Sequence, residues 1–185
     1  MVLRLGWLSI RLGFVGAALT VSYPFFKRFF PAPQFYLGLA FSWGVLMAFT
    51  AQTGGISRVA VTLFLSSVVW AAVYDTQYAM VDRDDDLKIG LQSTAILFGD
   101  LDRGAVGALQ AMVLFGLAAA GRSVHLGWWY FLGVAVAGLL FGWQQWLMRA
   151  RARDACFSAF LNNNYVGMAV FLGVVLDYLY PAFVS

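Results

Sequence analysis

All nine acidic residues of this chain are aspartates, and five of them fall between Tyr74 and Phe98: Asp75, Asp82, Asp84, Asp85 and Asp86. The run before them, 59–73, is apolar apart from Thr62, Ser66 and Ser67. Carboxylates at the end of so greasy a segment are costly unless they meet water, a cation or a basic partner. If a helix through Trp70 continues to about Ile89, at about 100° per residue, then Asp75, Tyr78, Asp82 and Asp86 share one stripe. Asp84 falls on the opposite face and Asp85 to one side. Asp82 and Asp86, at i and i+4 with Cβ atoms roughly 6 Å apart, can aim at one point. Such a pair suits a hard divalent cation, Mg²⁺ in particular. That ion takes one or two carboxylates, keeps waters and completes its shell with phosphate oxygens. An EF-hand reading of Asp82, Asp84 and Asp86 fails, because Leu87 stands where glycine is required and Ser93 where the bidentate glutamate should be.

The elements that must hold these groups are membrane spans. The chain of 185 residues is 62% hydrophobic and only 11% charged, a balance that a polytopic membrane protein needs and a soluble domain does not. Helices that cross a bilayer need about 20 apolar residues. Six such stretches are predicted: Leu5–Phe25, Gln34–Ala51, Ser57–Met80, Leu101–Ala120, Leu126–Leu147 and Ala155–Tyr180. Pro31 and Pro33, Gly54 and Gly55, and Gly121 punctuate them. No internal repeat or linker is visible, so residues 1–185 read as one all-α domain, a polytopic transmembrane helix bundle.

Orientation follows from lysine and arginine. Six spans put Lys27, Arg28, Arg83, Lys88, Arg103, Arg149, Arg151 and Arg153 on one side, against Arg4, Arg11, Arg58 and Arg122 on the other. The excess places the Asp-rich loop in the cytoplasm. The N-terminal basic residues before an apolar run, read alone, would suggest a signal anchor and the opposite orientation. Trp128, Trp129 and Tyr130 at one end of the fifth span, with Trp143 and Trp146 at the other, read as interfacial belts. Arg149–Arg153 read as an anchor on the inside. Asn162–Asn164 are expected to bond between helices.

Several function classes are excluded. A net charge of +3 without basic runs argues against nucleic acid as a partner. Cys156 is the only cysteine and His125 the only histidine, which removes an internal disulfide, a CxxC site and histidine-based metal or triad chemistry. Both are read as structural.

The run YDTQYAMVDRDDDLKIGLQSTAILFG resembles the second aspartate motif of the 4-hydroxybenzoate polyprenyltransferases, members of the UbiA superfamily. The resemblance extends to SYPFFKR at Ser22–Arg28, the Gly38–Phe49 span with its SWG, and NNNYVG at Asn162–Gly167. It implies nine transmembrane helices around a central cavity in a bacterial inner membrane. Two Asp-rich motifs there bind a polyprenyl diphosphate through Mg²⁺. The prenyl group passes to the ring carbon ortho to the hydroxyl of 4-hydroxybenzoate, in ubiquinone synthesis. The first motif, N-D-x-x-D-x-x-x-D, has no counterpart, since no acid precedes Asp75. By that comparison the chain is expected to be an N-terminally truncated portion holding six of nine helices.

Cleaving an allylic diphosphate requires charge to be neutralised on the leaving group. Asp82 and Asp86 are then the expected metal ligands. Asp75, deeper on the same stripe, would orient a ligand or act as a base. Lys88, and less directly Arg83, would reach a diphosphate oxygen. The faces of Tyr78 and Tyr74 would stabilise the allylic cation. Arg28, beside Lys27, would hold the carboxylate of the acceptor. The apolar helices would house the prenyl chain and face the lipid bilayer. Plainer readings stand beside these: topology anchors for Lys27, Arg28 and Lys88, and helix packing for Tyr78. The carboxylates alone would also serve a cation transporter or channel, a reading that the absence of an inverted repeat weakens.

Overall fold

The computed structural model describes residues 6–26, 32–90 and 92–180; the side chains of Phe26 and Ile89 also lie outside the described set. All regular secondary structure among the described residues is helical, with no strand among them. The helices are α1 (Trp7–Phe26), α2 (Pro33–Thr53), α3 (Arg58–Ile89), α4 (Thr94–Phe98), α5 (Asp102–Ser123), α6 (Trp128–Leu147) and α7 (Arg153–Leu179). Six segments are long and apolar enough to cross a membrane, in agreement with the six expected spans. The chain is a multi-pass membrane protein.

α3 organises the bundle. Ser57 caps its start by accepting from the Ala60 N–H at 3.2 Å. Gly90 ends it at φ 69°, a left-handed conformation that a side chain would strain. Between these stops run 32 residues, about 48 Å at about 1.5 Å per residue, against a hydrocarbon layer of about 30 Å. The helix therefore outruns the bilayer. Its last turns, which hold Asp82, Asp84, Asp85 and Asp86, continue the same rod without a break. α3 packs against α2, α5 and α7, while α6 and α7 form the most extensive pair.

Small residues set these approaches. A Cβ on Gly133 of α6 would come 2.6 Å from the Ala169 carbonyl oxygen and 3.0 Å from Gly173 Cα on α7. This is the close helix approach that small residues permit in membranes. Tyr130 is not part of an interfacial belt, contrary to expectation. It is 3% exposed, lies against Gly121 and donates its hydroxyl to the Leu117 carbonyl at 2.8 Å. The notch left by glycine admits the ring, and the α5 carbonyl satisfies its hydroxyl. Trp128 stays outside at one end of α6, and Trp143 and Trp146 at the other.

Inside, a ladder of amides ties four helices together. Gln144 of α6 accepts from Gln77 of α3 at 2.8 Å and from Gln110 of α5 at 2.7 Å, and donates to Asn162 of α7 at 3.1 Å. Asn163 donates to Gln77 at 2.7 Å and accepts from the Trp70 indole at 2.9 Å. Asn162 and Asn163 thus bond between helices as expected. The three buried glutamines that complete the ladder have no local signature, because each looks like an isolated polar residue in an apolar run.

Candidate active site

The stripe predicted on α3 faces a single cavity. Asp75, Tyr78, Ala79, Asp82 and Asp86 form one wall of a space of ≈ 160 Å³, and Tyr23, Pro33, Gln34, Gln92 and Ser93 close the rest. Asp84 lies instead on the opposite face of α3, where it lines a second cavity with Arg83, Asp102, Arg151 and Arg153. The i, i+4, i+8 geometry of a continuous helix produces this split. Asp82 and Asp86 therefore converge on one space.

Two basic residues from the α6–α7 connection define the far side. Asp102, at the start of α5, is fully buried. It accepts from Arg151 Nε at 2.9 and 3.2 Å and from Arg83 Nη1 at 3.4 Å. The hydrogen bond and charge of Asp102 raise the already high pKa of Arg151. Arg153, at the start of α7, donates to Asp85 Oδ2 at 3.0 Å and to Asp82 Oδ1 at 3.5 Å. Of the run read as an inside anchor, Arg149 lies 4.0 Å from the centre of the Trp146 ring. Arg151 and Arg153 join the ends of α3, α5 and α7, because the turn after α6 brings them against carboxylates distant in sequence.

Lys88 pairs with Asp85 at 3.1 Å, one turn back on the same helix. Both side chains are well exposed, so this contact holds Lys88 only weakly. Arg83 turns to Asp102, away from the stripe. Tyr78 lines the carboxylate cavity and meets the Phe160 edge at 5.3 Å between ring centres. Tyr74 meets the same Phe160 at 6.3 Å. It opens onto a neighbouring apolar cavity of ≈ 280 Å³ lined by Trp70, Tyr74, Phe160, Leu161, Asn163 and Asn164. Lys27 and Arg28, expected to bind an acceptor carboxylate, lie outside the described residues.

Sequence reading missed the wall opposite the carboxylates. Tyr23 comes from α1, Gln34 from α2, and Gln92 and Ser93 from the segment leading into α4. The short helix α4 was itself not anticipated. Its N-cap, Ser93, accepts from the Ile96 N–H at 3.4 Å. Ser93 followed by an apolar run was the available signal.

The carboxylates suit a hard divalent cation by donor chemistry, since oxygen ligands a helical turn apart line a polar-walled cavity. No group of three or more His, Cys, Asp or Glu side chains able to hold a metal occurs among the described residues.

Fold and site together define a multi-pass helical membrane protein with a carboxylate-lined cavity at one end of its bundle. Residues 1–183 match the UbiA prenyltransferase family, and the chain belongs to that family. It is 56% identical over 177 residues to a 4-hydroxybenzoate octaprenyltransferase of Alkalilimnicola ehrlichii, covering 96% of this chain and 60% of that protein. A protein of the same name from Aeromonas salmonicida is 52% identical over 181 residues, covering 98% of this chain and 63% of the relative. The chain thus spans less than two thirds of the length of these curated relatives. The apo structure of a UbiA homologue from Aeropyrum pernix K1 shares the fold, with a TM-score of 0.76 at 23% identity over 94% of this chain and 66% of that one.

Proposed function

We propose that this chain contributes to transfer of a polyprenyl group from a polyprenyl diphosphate to the ring of 4-hydroxybenzoate, a step of ubiquinone synthesis, in a bacterial inner membrane with the Asp-rich end in the cytoplasm. The observation that supports this reading is the convergence of Asp75, Tyr78, Asp82 and Asp86 on one cavity beside an apolar one. The names of the relatives support the substrates.

In this reading Asp82 and Asp86 hold Mg²⁺, which supplies charge neutralisation for the diphosphate as it leaves. Lys88 releases Asp85 and turns to a diphosphate oxygen. The bond between the allylic carbon and the diphosphate oxygen breaks, and the electron pair stays with the diphosphate. Tyr78, with Tyr74 deeper along α3, presents aromatic faces to the allylic cation. The ring carbon ortho to the hydroxyl forms the new carbon–carbon bond and then loses its proton, with Asp75 as acceptor. Arg28 holds the acceptor's carboxylate. The apolar space between α3 and α7 takes the first part of the prenyl chain.

The test is prenylation of 4-hydroxybenzoate by membrane vesicles containing the chain, with Mg²⁺ saturating. Asp82→Ala and Asp86→Ala should each lower turnover by about 100-fold or more with membrane insertion unchanged. Undiminished turnover in either variant removes the assigned role. Cation flux through the same vesicles, without any need for an aromatic acceptor, would favour the channel reading instead.

A further inference from the structure

Gln34 is 5% exposed, yet it forms part of the wall facing the carboxylates. Its orientation is determined by what it touches. The Thr94 backbone N–H, one of the donors left over in the first turn of α4, donates to Gln34 Oε1 at 3.2 Å. A backbone N–H needs an acceptor, so the amide oxygen must face α4 and the amide nitrogen must point elsewhere. Thr94 is held in turn. Thr76 Oγ1 donates to the Ala72 carbonyl at 2.6 Å, which uses its only hydroxyl hydrogen. The 2.7 Å contact between the Thr76 and Thr94 hydroxyls is therefore donated by Thr94. α3 fixes α4, and α4 fixes Gln34.

The amide nitrogen left over makes no hydrogen bond to a described residue, and it is not among the sealed, unsatisfied atoms of those residues, as Asp177 Oδ1 is. An N–H₂ group that water can reach on the cavity wall is available to donate to whatever occupies that cavity. Its depth indicates which ligand. Gly38, one turn further along α2, lies against the Val68 carbonyl and Ala71 of α3. Because α2 and α3 run in opposite directions, Gln34 is level with the turn of α3 that holds Asp75, about two turns inward of Asp82 and about three inward of Asp86. In the function proposed above, the diphosphate sits with those outer carboxylates, and the aromatic ring, which gives its proton to Asp75, sits at the level of that residue.

We infer that Gln34 is a substrate-contacting residue whose amide N–H₂ donates to a ring-borne oxygen of the aromatic acceptor. This rests on the function proposed above. It gives α4 a role in positioning, since the Ser93–Phe98 turn sets the donor's direction through Thr94.

Equilibrium binding of 4-hydroxybenzoate and of a prenyl diphosphate with Mg²⁺, measured separately on the full chain in lipid nanodiscs, tests it. Gln34→Glu keeps an oxygen for the Thr94 N–H but removes the N–H₂ donor. Gln34→Met removes both without adding charge. Both variants should weaken 4-hydroxybenzoate binding by about 10-fold or more, leave diphosphate binding within about 2-fold of wild type, and differ in melting temperature, with only Gln34→Met lowered. Wild-type acceptor affinity in Gln34→Met overturns the inference alone, and so does a loss confined to diphosphate binding. A wild-type chain that binds no 4-hydroxybenzoate sinks the proposed function as well.

Discussion

Arg153 on α7 reaches across to Asp82 on α3, with Nη2 3.5 Å from Oδ1, while holding Asp85 at 3.0 Å. One guanidinium thus competes for the negative charge of Asp82 with the proposed cation. A divalent ion that takes Asp82 weakens that contact, and Asp85 remains as an alternative partner. Arg153→Gln removes the competitor. The contact is exposed, so its worth is of order 0.2–1 kcal/mol, and Mn²⁺ affinity should tighten by about 1.5- to 5-fold. Titration followed by electron paramagnetic resonance reads this directly; weaker binding in the variant would reverse the assignment.

Asp102 presents the opposite case. Its carboxylate is buried and satisfies Arg151, Arg83 and the Arg103 N–H together. Asp102→Ala should cost about 2–4 kcal/mol, less than the upper range for buried pairs because both arginines keep some contact with water. Chemical unfolding in detergent measures the loss. Asp84→Ala, on the exposed part of the same face, serves as the comparison and should change stability by less than about 0.5 kcal/mol.

The amide ladder predicts a loss shared among helices. Gln144→Leu leaves Gln77 and Gln110 each with an N–H₂ group lacking its acceptor inside the bundle. Hydrogen bonds between membrane helices average about 0.6 kcal/mol each, so a total of about 1–2 kcal/mol is expected. The same unfolding measurement checks it, and no change would mean that the amides find other partners.

Two glycines on α6 should behave oppositely when given a methyl group. Gly133→Ala meets the α7 backbone at 2.6 Å and should destabilise by about 1–3 kcal/mol as α6 and α7 separate. Gly142 has open space around its Cβ position. Gly142→Ala should be neutral or gain up to about 1 kcal/mol from helix propensity alone. Equal effects at both sites would show that packing does not set the α6–α7 distance.

The spanning helices and one face of the site were legible in composition and periodicity; the short α4 was not. Runs of about 20 apolar residues admit only spanning helices, because every backbone polar group must be satisfied within its own segment in lipid. The stripe of Asp75, Tyr78, Asp82 and Asp86 was legible because 3.6-residue periodicity is a local property, and a helix long enough to pass Met80 keeps it intact. Tertiary structure alone decided what meets that stripe. Gln34, Ser93 and Tyr23 come from three separate segments, and Arg151 and Arg153 become partners of Asp102, Asp82 and Asp85 only once α3, α5, α6 and α7 are packed. Side-chain contacts across 40–90 residues depend on helix crossing and rotation. Small residues such as Gly38, Gly121 and Gly133 set both, and nothing in their local sequence says which neighbour they admit.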